Sequence, residues 1–110
     1  MDIKKEEINS IIVFALTGRL NITTIAPLEE ELSKALDNQA KKVLIDCVAL
    51  EYISSAGLRV FLVAAKNAKK VGGEIALAGL NPTVKQVFEI SGFANIFPIF
   101  NSKDDALANL

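Results

Sequence analysis

Hydrophobic residues gather along this chain in short continuous runs, and most polar residues lie between the runs or at helical spacing. Short apolar runs bounded by turn-forming residues are typical of buried β-strands. Four such runs predict strands, over residues 11–16, 43–45, 75–78 and 96–100. The charged segment 3–7 precedes a two-residue turn at Asn9-Ser10, so we expect an exposed edge strand that forms a hairpin with the next strand. Pro98 cannot donate to a central ladder and places the last strand at an edge.

The first predicted helix follows the hairpin. Its apolar stripe consists of Leu28, Leu32, Ala35 and Leu36. Pro27 suits the first turn, where its missing N–H is not needed. Three glutamates, Glu29–Glu31, are expected in the same turn, where they would complement the positive end of the helix dipole.

Three further helices are predicted from their start and stop signals. The second follows Ser54-Ser55, ends at Gly72-Gly73 and carries lysines in its last turns. Its inward face is expected to consist of Leu58, Phe61, Leu62, Ala65 and Ala68. The third begins at Asn81-Pro82 and ends at Gly92, and a short fourth begins at Ser102.

Strands that alternate with helices predict an α/β fold: an open, mixed, mainly parallel five-stranded sheet with an antiparallel N-terminal edge strand and about four helices. In such sheets, functional groups collect where strands end and loops lead into helices. Two loops contain suitable residues, 18–24 after the second strand and 46–57 after the third.

Composition limits the chemistry. With 110 residues and 51% hydrophobic content, the chain fits a single domain over 1–110. It carries twelve basic and thirteen acidic residues, a balance that argues against a nucleic-acid binder. The absence of histidine removes the usual general base and the commonest metal ligand. The lone Cys47 indicates a reducing compartment and is expected to be a small buried hydrophobe. No apolar segment approaches a membrane span, so we expect a cytoplasmic protein.

The serine pair Ser54-Ser55 allows three interpretations: a helix cap, an enzyme nucleophile, or a serine that another protein modifies. A cap is chemically favoured, since serine is among the best N-cap residues. A nucleophile elbow requires glycine two positions before the serine, where this chain has Ile53. Asp46 is expected at the end of its strand, as a capping or turn-forming carboxylate.

Two segments, "TGRLNITTIAPLEEEL" and "VLIDCVALEYISSAGLRVFL", give the chain a family resemblance. Over about residues 3–108 it resembles the STAS domain of bacterial anti-sigma-factor antagonists. The resemblance implies partner switching. The unmodified antagonist binds an anti-sigma factor that is also a serine kinase, and this binding releases the sigma factor. Phosphorylation of one serine abolishes binding, and a serine phosphatase resets the protein.

The resemblance also implies the site residues. The phosphate acceptor is Ser55, with Ser54 as second choice. The partner-binding residues are Asn21, Thr23, Thr24, Ser54, Ser55, Ala56, Gly57 and Leu58, and Gly57 is expected to let the partner approach closely. The chain departs from the family at Asn21 and Ser54, where aspartates are usual, and at Ala56, where a second hydroxyl is usual.

The implied protein is not an enzyme and has no cofactor of its own, while ATP and magnesium belong to the partner kinase. Direct nucleic-acid and membrane partners are not expected. The alternative is a STAS-type accessory or scaffolding subunit of a transporter or lipid-trafficking complex, without a phosphorylation switch.

Overall fold

The computed structural model describes residues 1–38 and 40–110 and has the predicted order of elements. The strands are β1 (Asp2–Ile8), β2 (Ile11–Leu20), β3 (Lys42–Ile53), β4 (Glu74–Ala78) and β5 (Ile99–Phe100). The helices are α1 (Ile25–Asp37), α2 (Ser55–Lys70), α3 (Pro82–Ser91) and α4 (Lys103–Asn109). A short 3₁₀ helix, Phe93–Asn95, follows α3.

The five strands form one sheet in the order β1-β2-β3-β4-β5. β1 runs antiparallel to β2, and every other neighbouring pair is parallel. The predicted fold class is therefore confirmed. β5 lies at an edge, as Pro98 indicated, but it is shorter than predicted and begins only after that proline, whose carbonyl accepts a hydrogen bond from Leu77 N at 2.9 Å.

The two faces of the sheet are covered unequally. One face carries the main core, in which α1, α2 and α3 pack on the strands. Three aromatic rings join α2 to α3 and to the segment before β5, with centroids 5.7 Å (Phe61–Phe88) and 5.9 Å (Phe88–Phe97) apart. The other face has a smaller cluster around Ala106 of α4. The two loops singled out by the sequence follow the carboxyl ends of β2 and β3.

The short helix α4 is also tied to the opposite edge of the sheet by an ion pair. Lys103 Nζ lies 2.7 Å from Glu6 Oε1 on β1. The hydrogen bond from Lys103 and its charge lower the pKa of Glu6, and the same hydrogen bond raises the pKa of Lys103. Both side chains are about one-third exposed or more, so the pair contributes little to the stability of the fold.

The hairpin turn and the caps of α3 and α4 lie where the sequence predicted them. Asn9 and Ser10 have positive φ angles of 51° and 68°, the geometry of a tight hairpin turn. Asn81 Oδ1 accepts a hydrogen bond from Val84 N at 2.8 Å and caps α3. Ser102 Oγ accepts from Asp105 N at 3.1 Å and caps α4. These predictions succeeded because each depends on a few neighbouring residues.

The predicted role of the three glutamates in α1 is wrong. The helix begins at Ile25, two residues before Pro27, so Glu29–Glu31 fall beyond the first turn and cannot complement its dipole there. Glu30 instead lies 3.2 Å from Lys34, an exposed pair at i,i+4 spacing. Glu30 and Lys34 thus lie on the solvent-exposed side of the helix.

The third strand is much longer than predicted. β3 continues through Asp46 to Ile53, so Asp46 lies inside the strand rather than at its end. It is largely buried, and its Oδ1 accepts a hydrogen bond from Val48 N at 3.3 Å. The pairing with β2 skips one β3 residue at each of two bulges, and the alternation of apolar side chains is lost there. The predicted loop 46–57 shrinks to Ser54.

Cys47 is fully buried on β3 and faces the main core, as predicted. Burial raises the pKa of its thiol, and the nearby charge of Asp46 adds to the effect. Its Sγ contacts the carbonyl oxygen of Ile45 at 3.6 Å.

Among the residues that the structure describes, no helix has the length and hydrophobicity needed to cross a membrane.

Candidate functional site

The two loops singled out by the sequence meet at the carboxyl ends of β2 and β3. Leu20 pairs with Ile53 at the last position of the parallel ladder. One residue further on, Ser54 N donates a hydrogen bond to the carbonyl oxygen of Leu20 at 2.9 Å. The β2–α1 loop and the start of α2 are therefore held side by side, as predicted.

Ser54 is the N-cap of α2. Its backbone is extended, with φ −92° and ψ 174°, and its Oγ accepts a hydrogen bond from Gly57 N at 3.3 Å. Its carbonyl oxygen accepts the first helical bond, from Leu58 N at 2.9 Å. The capping interpretation thus applies to the first serine of the pair, and the Ser54 hydroxyl is already engaged.

Replacing Ser54 by alanine is expected to destabilise the fold while leaving Ser55, the candidate phosphate acceptor, in place. The lost cap leaves the Gly57 N–H without its side-chain acceptor, which costs about 1 kcal/mol of unfolding free energy. Chemical denaturation of Ser54→Ala beside Ser102→Ala, which removes the equivalent cap of α4, would measure this loss. Unchanged stability in Ser54→Ala would mean that water replaces the cap at no cost.

Ser55 is the first residue of α2, and it is exposed. Within residues 1–38 and 40–110, no hydrogen bond involves its side chain, whereas the hydroxyl of Ser54 is bonded. Ala56 beside it is half-buried. The structure therefore distinguishes the two serines: one holds the helix, and the other presents a free hydroxyl to solvent.

Gly57 and Leu58 are buried and belong to the domain's own packing. A Cβ on Gly57 would lie 2.8 Å from Ile53 Cγ1 and 3.0 Å from Leu20 Cδ2. The first turn of α2 rests so closely on the ends of β2 and β3 that only glycine fits. This internal contact is a structural reason for the glycine, and the expected role of Gly57 in the approach of a partner stays a prediction. Leu58 likewise packs in the main core.

The β2–α1 loop is fixed by its own side chains. Asn21 Oδ1 accepts hydrogen bonds from Thr23 N at 3.0 Å and from Thr23 Oγ1 at 2.7 Å. Thr24 Oγ1 accepts from Asn21 N at 2.9 Å and donates to the carbonyl oxygen of Arg19 at 2.8 Å. An amide oxygen accepts these hydrogen bonds as well as a carboxylate oxygen would. Asn21 therefore keeps the loop geometry but lacks the negative charge of the aspartate that is usual in the family.

Two exposed residues of this region, Ile22 and Arg59, were not among the predicted site residues. Ile22 stands at the tip of the locked loop with 72% of its surface exposed, next to the predicted Asn21 and Thr23. Arg59 is exposed on α2, one turn after Ser55. Solvent exposure of a large apolar residue cannot be deduced from its type, and Arg59 resembled an ordinary solvated helix residue.

The mixed α/β sheet thus carries an exposed serine at the start of a helix, beside a loop that is held by its own hydrogen bonds. The family model described as the STAS domain matches residues 2–106. The chain belongs to the STAS domain family, which confirms the resemblance found in the sequence.

Curated relatives cover almost the whole chain. It is 43% identical over 108 residues to BtrV of Bordetella bronchiseptica, assigned as an anti-sigma factor antagonist, covering 98% of this chain and 93% of that protein. It is 27% identical over 111 residues to an anti-sigma F factor antagonist of Paenibacillus polymyxa, covering 100% of this chain and 95% of that protein.

Solved structures share the fold. The anti-sigma factor antagonist SpoIIAA in its unphosphorylated form has a TM-score of 0.85 at 21% identity, covering 96% of this chain and 93% of that one. SpoIIAA of Bacillus in its phosphorylated form has a TM-score of 0.79 at 20% identity, covering 97% of each chain. At this identity the likeness concerns the architecture of the sheet and helices.

Proposed function

We propose that this protein is an anti-sigma-factor antagonist that binds an anti-sigma factor with serine kinase activity and is switched off by phosphorylation of Ser55. Its docking face consists of Asn21–Thr24 and Ser54–Ala56. The observation that carries the proposal is the difference between the two serines at the start of α2. Ser54 caps the helix, whereas Ser55 is exposed and its hydroxyl makes no hydrogen bond within the described residues. The names of the curated relatives support the same class.

The chemistry assigned to Ser55 is that of a substrate. Its Oγ bonds to the γ-phosphorus of ATP, which the partner holds with magnesium. The bond from that phosphorus to the bridging oxygen breaks, ADP leaves, and the hydroxyl proton passes to a base of the kinase or to water. A serine phosphatase hydrolyses the ester and restores the hydroxyl. No group of this chain has to activate the serine, consistent with its lack of a side-chain partner within the described residues.

The switch is electrostatic. A phosphoserine carries about −1.5 to −2 charges at neutral pH, concentrated at one point of the docking face. Placed in a close-fitting interface where the binding partner offers no matching charge, such a group costs several kcal/mol through desolvation and repulsion. Each 1.4 kcal/mol changes affinity about tenfold. Because the Ser55 side chain makes no hydrogen bond within the described residues, the modification can block binding while the fold stays intact.

Incubation with the cognate anti-sigma kinase and ATP, followed by peptide mapping in a mass spectrometer, tests the assignment. We expect one phosphate on Ser55 in the wild type and in Ser54→Ala, and none in Ser55→Ala. Ser102→Ala, which changes an exposed capping serine elsewhere, is the matched control and should be labelled like the wild type. Undiminished labelling of Ser55→Ala would refute the proposal, and a phosphate on residue 54 would transfer the role to the capping serine.

A further inference from the structure

Arg59 lies four residues after Ser55 on α2. Side chains at i and i+4 lie on the same face of a helix, one turn apart, with Cβ atoms about 5–6 Å from each other. Both residues are exposed. A group attached to the Ser55 hydroxyl is therefore within reach of the Arg59 guanidinium without any change of backbone.

Arg59 has no competing partner on the part of the chain that the structure describes. The salt bridges found there involve Lys34 and Lys103, and none involves Arg59. Helix α2 contains four basic residues, Arg59, Lys66, Lys69 and Lys70, and no acidic one. In α1, by contrast, Lys34 is already paired with Glu30. The guanidinium next to the candidate acceptor is thus free to bind an incoming anion.

We propose that Arg59 is the counter-charge of the phosphate on Ser55, binding it across one turn of α2. The inference rests on the proposed function for the origin of that phosphate. Arginine suits the role because its planar guanidinium can donate two parallel hydrogen bonds to phosphate oxygens, which a lysine cannot do. The spacing also has the favourable polarity, with the acidic group on the N-terminal side of the basic one.

The pairing gives the modification a second effect. In the unmodified protein, Arg59 extends freely beside the docking face and is available to a partner. In the phosphorylated protein, the same side chain is drawn onto the phosphate. One covalent change then withdraws both the Ser55 hydroxyl and the neighbouring positive charge from the surface.

The experiment uses the full-length chain with phosphoserine installed at position 55 during translation. The ³¹P chemical shift, followed over pH, reports the second pKa of the phosphate, which lies near 6 without perturbation. We expect Arg59→Gln to raise this pKa by about 0.2 to 0.4 units relative to the wild type, the size of an exposed i,i+4 ion pair. Arg59→Lys should recover part of the shift, and added salt should reduce it.

Lys66→Gln is the matched control. It removes a charge of the same sign from the exposed side of the same helix, but about 16 Å along the axis from Ser55, beyond the screening length at physiological salt. Equal phosphate titration in the wild type, Arg59→Gln and Lys66→Gln would overturn the proposal, as would equal shifts in both variants. Because the phosphate is installed without a kinase, this result is independent of the mapping test. A natural phosphate found elsewhere would remove the proposed function without altering the titration.

Discussion

Replacing Ser55 by glutamate is expected to weaken binding to the anti-sigma kinase by about 100-fold, equivalent to about 2.7 kcal/mol. The carboxylate places a permanent charge at the centre of the docking face, where desolvation opposes association. Thermal stability should be unchanged or slightly higher, because residue 55 is exposed and a negative charge in the first turn of a helix is favourable by about 0.3 to 1 kcal/mol. For a chain of this size, that gain corresponds to at most about 4 °C in Tm.

Isothermal titration calorimetry with the purified kinase and thermal denaturation of each variant measure both quantities. Ser55→Gln has nearly the same shape without the charge and should bind much better than Ser55→Glu. Ser33→Glu places the same charge on the exposed surface of α1 and should bind like the wild type. A Ser55→Glu protein that binds normally would contradict an electrostatic switch, and one that loses stability would mean that Ser55 is structural.

Replacing Gly57 by valine should destabilise the protein by about 3 kcal/mol, the upper end of the range for overpacked cores. The added Cβ alone would lie 2.8 Å from Ile53 Cγ1, closer than carbon atoms pack, and the branched methyl groups increase the conflict. The first turn of α2 must then move away from the strand ends. A loss of this size lowers Tm by about 13 °C in a domain of 110 residues.

A double-mutant cycle with Ile53→Ala identifies the cause. That change removes the contacted atom, so the combined loss should be smaller than the sum of the two single losses. Ser55→Ala also alters the first turn of α2, but on its exposed side, and should change stability by less than about 0.5 kcal/mol. Wild-type stability in Gly57→Val would show that the helix start adjusts freely and that the glycine has another purpose.

The sequence allowed the order of elements and most of their ends to be predicted, because these features depend on neighbouring residues. The caps at Asn81 and Ser102 and the hairpin turn at Asn9-Ser10 need only a short polar side chain or a tight turn next to an apolar segment. The length of β3 could not be predicted in the same way. Its two bulges break the alternation of buried and exposed residues, so the stretch from Asp46 to Ile53 lacks the pattern of a strand.

The placement of the candidate site was predicted in part. The sequence brought the β2–α1 loop and the serine pair to the same edge of the sheet, and the ladder between Leu20 and Ile53 places them there. Which serine caps α2 depends on where the helix begins, and one residue of uncertainty in that boundary exchanges the two roles. The tight contact under Gly57 involves Leu20 and Ile53, which are distant from one another in sequence and meet only after folding.

The hydrogen bond from Ser54 N to the carbonyl oxygen of Leu20 joins both halves of the docking face through backbone atoms. Under the proposed function, a docking face joined in this way needs no slow rearrangement between its active and silenced forms. The response time of the switch would then be set by the turnover of the enzymes that add and remove the phosphate.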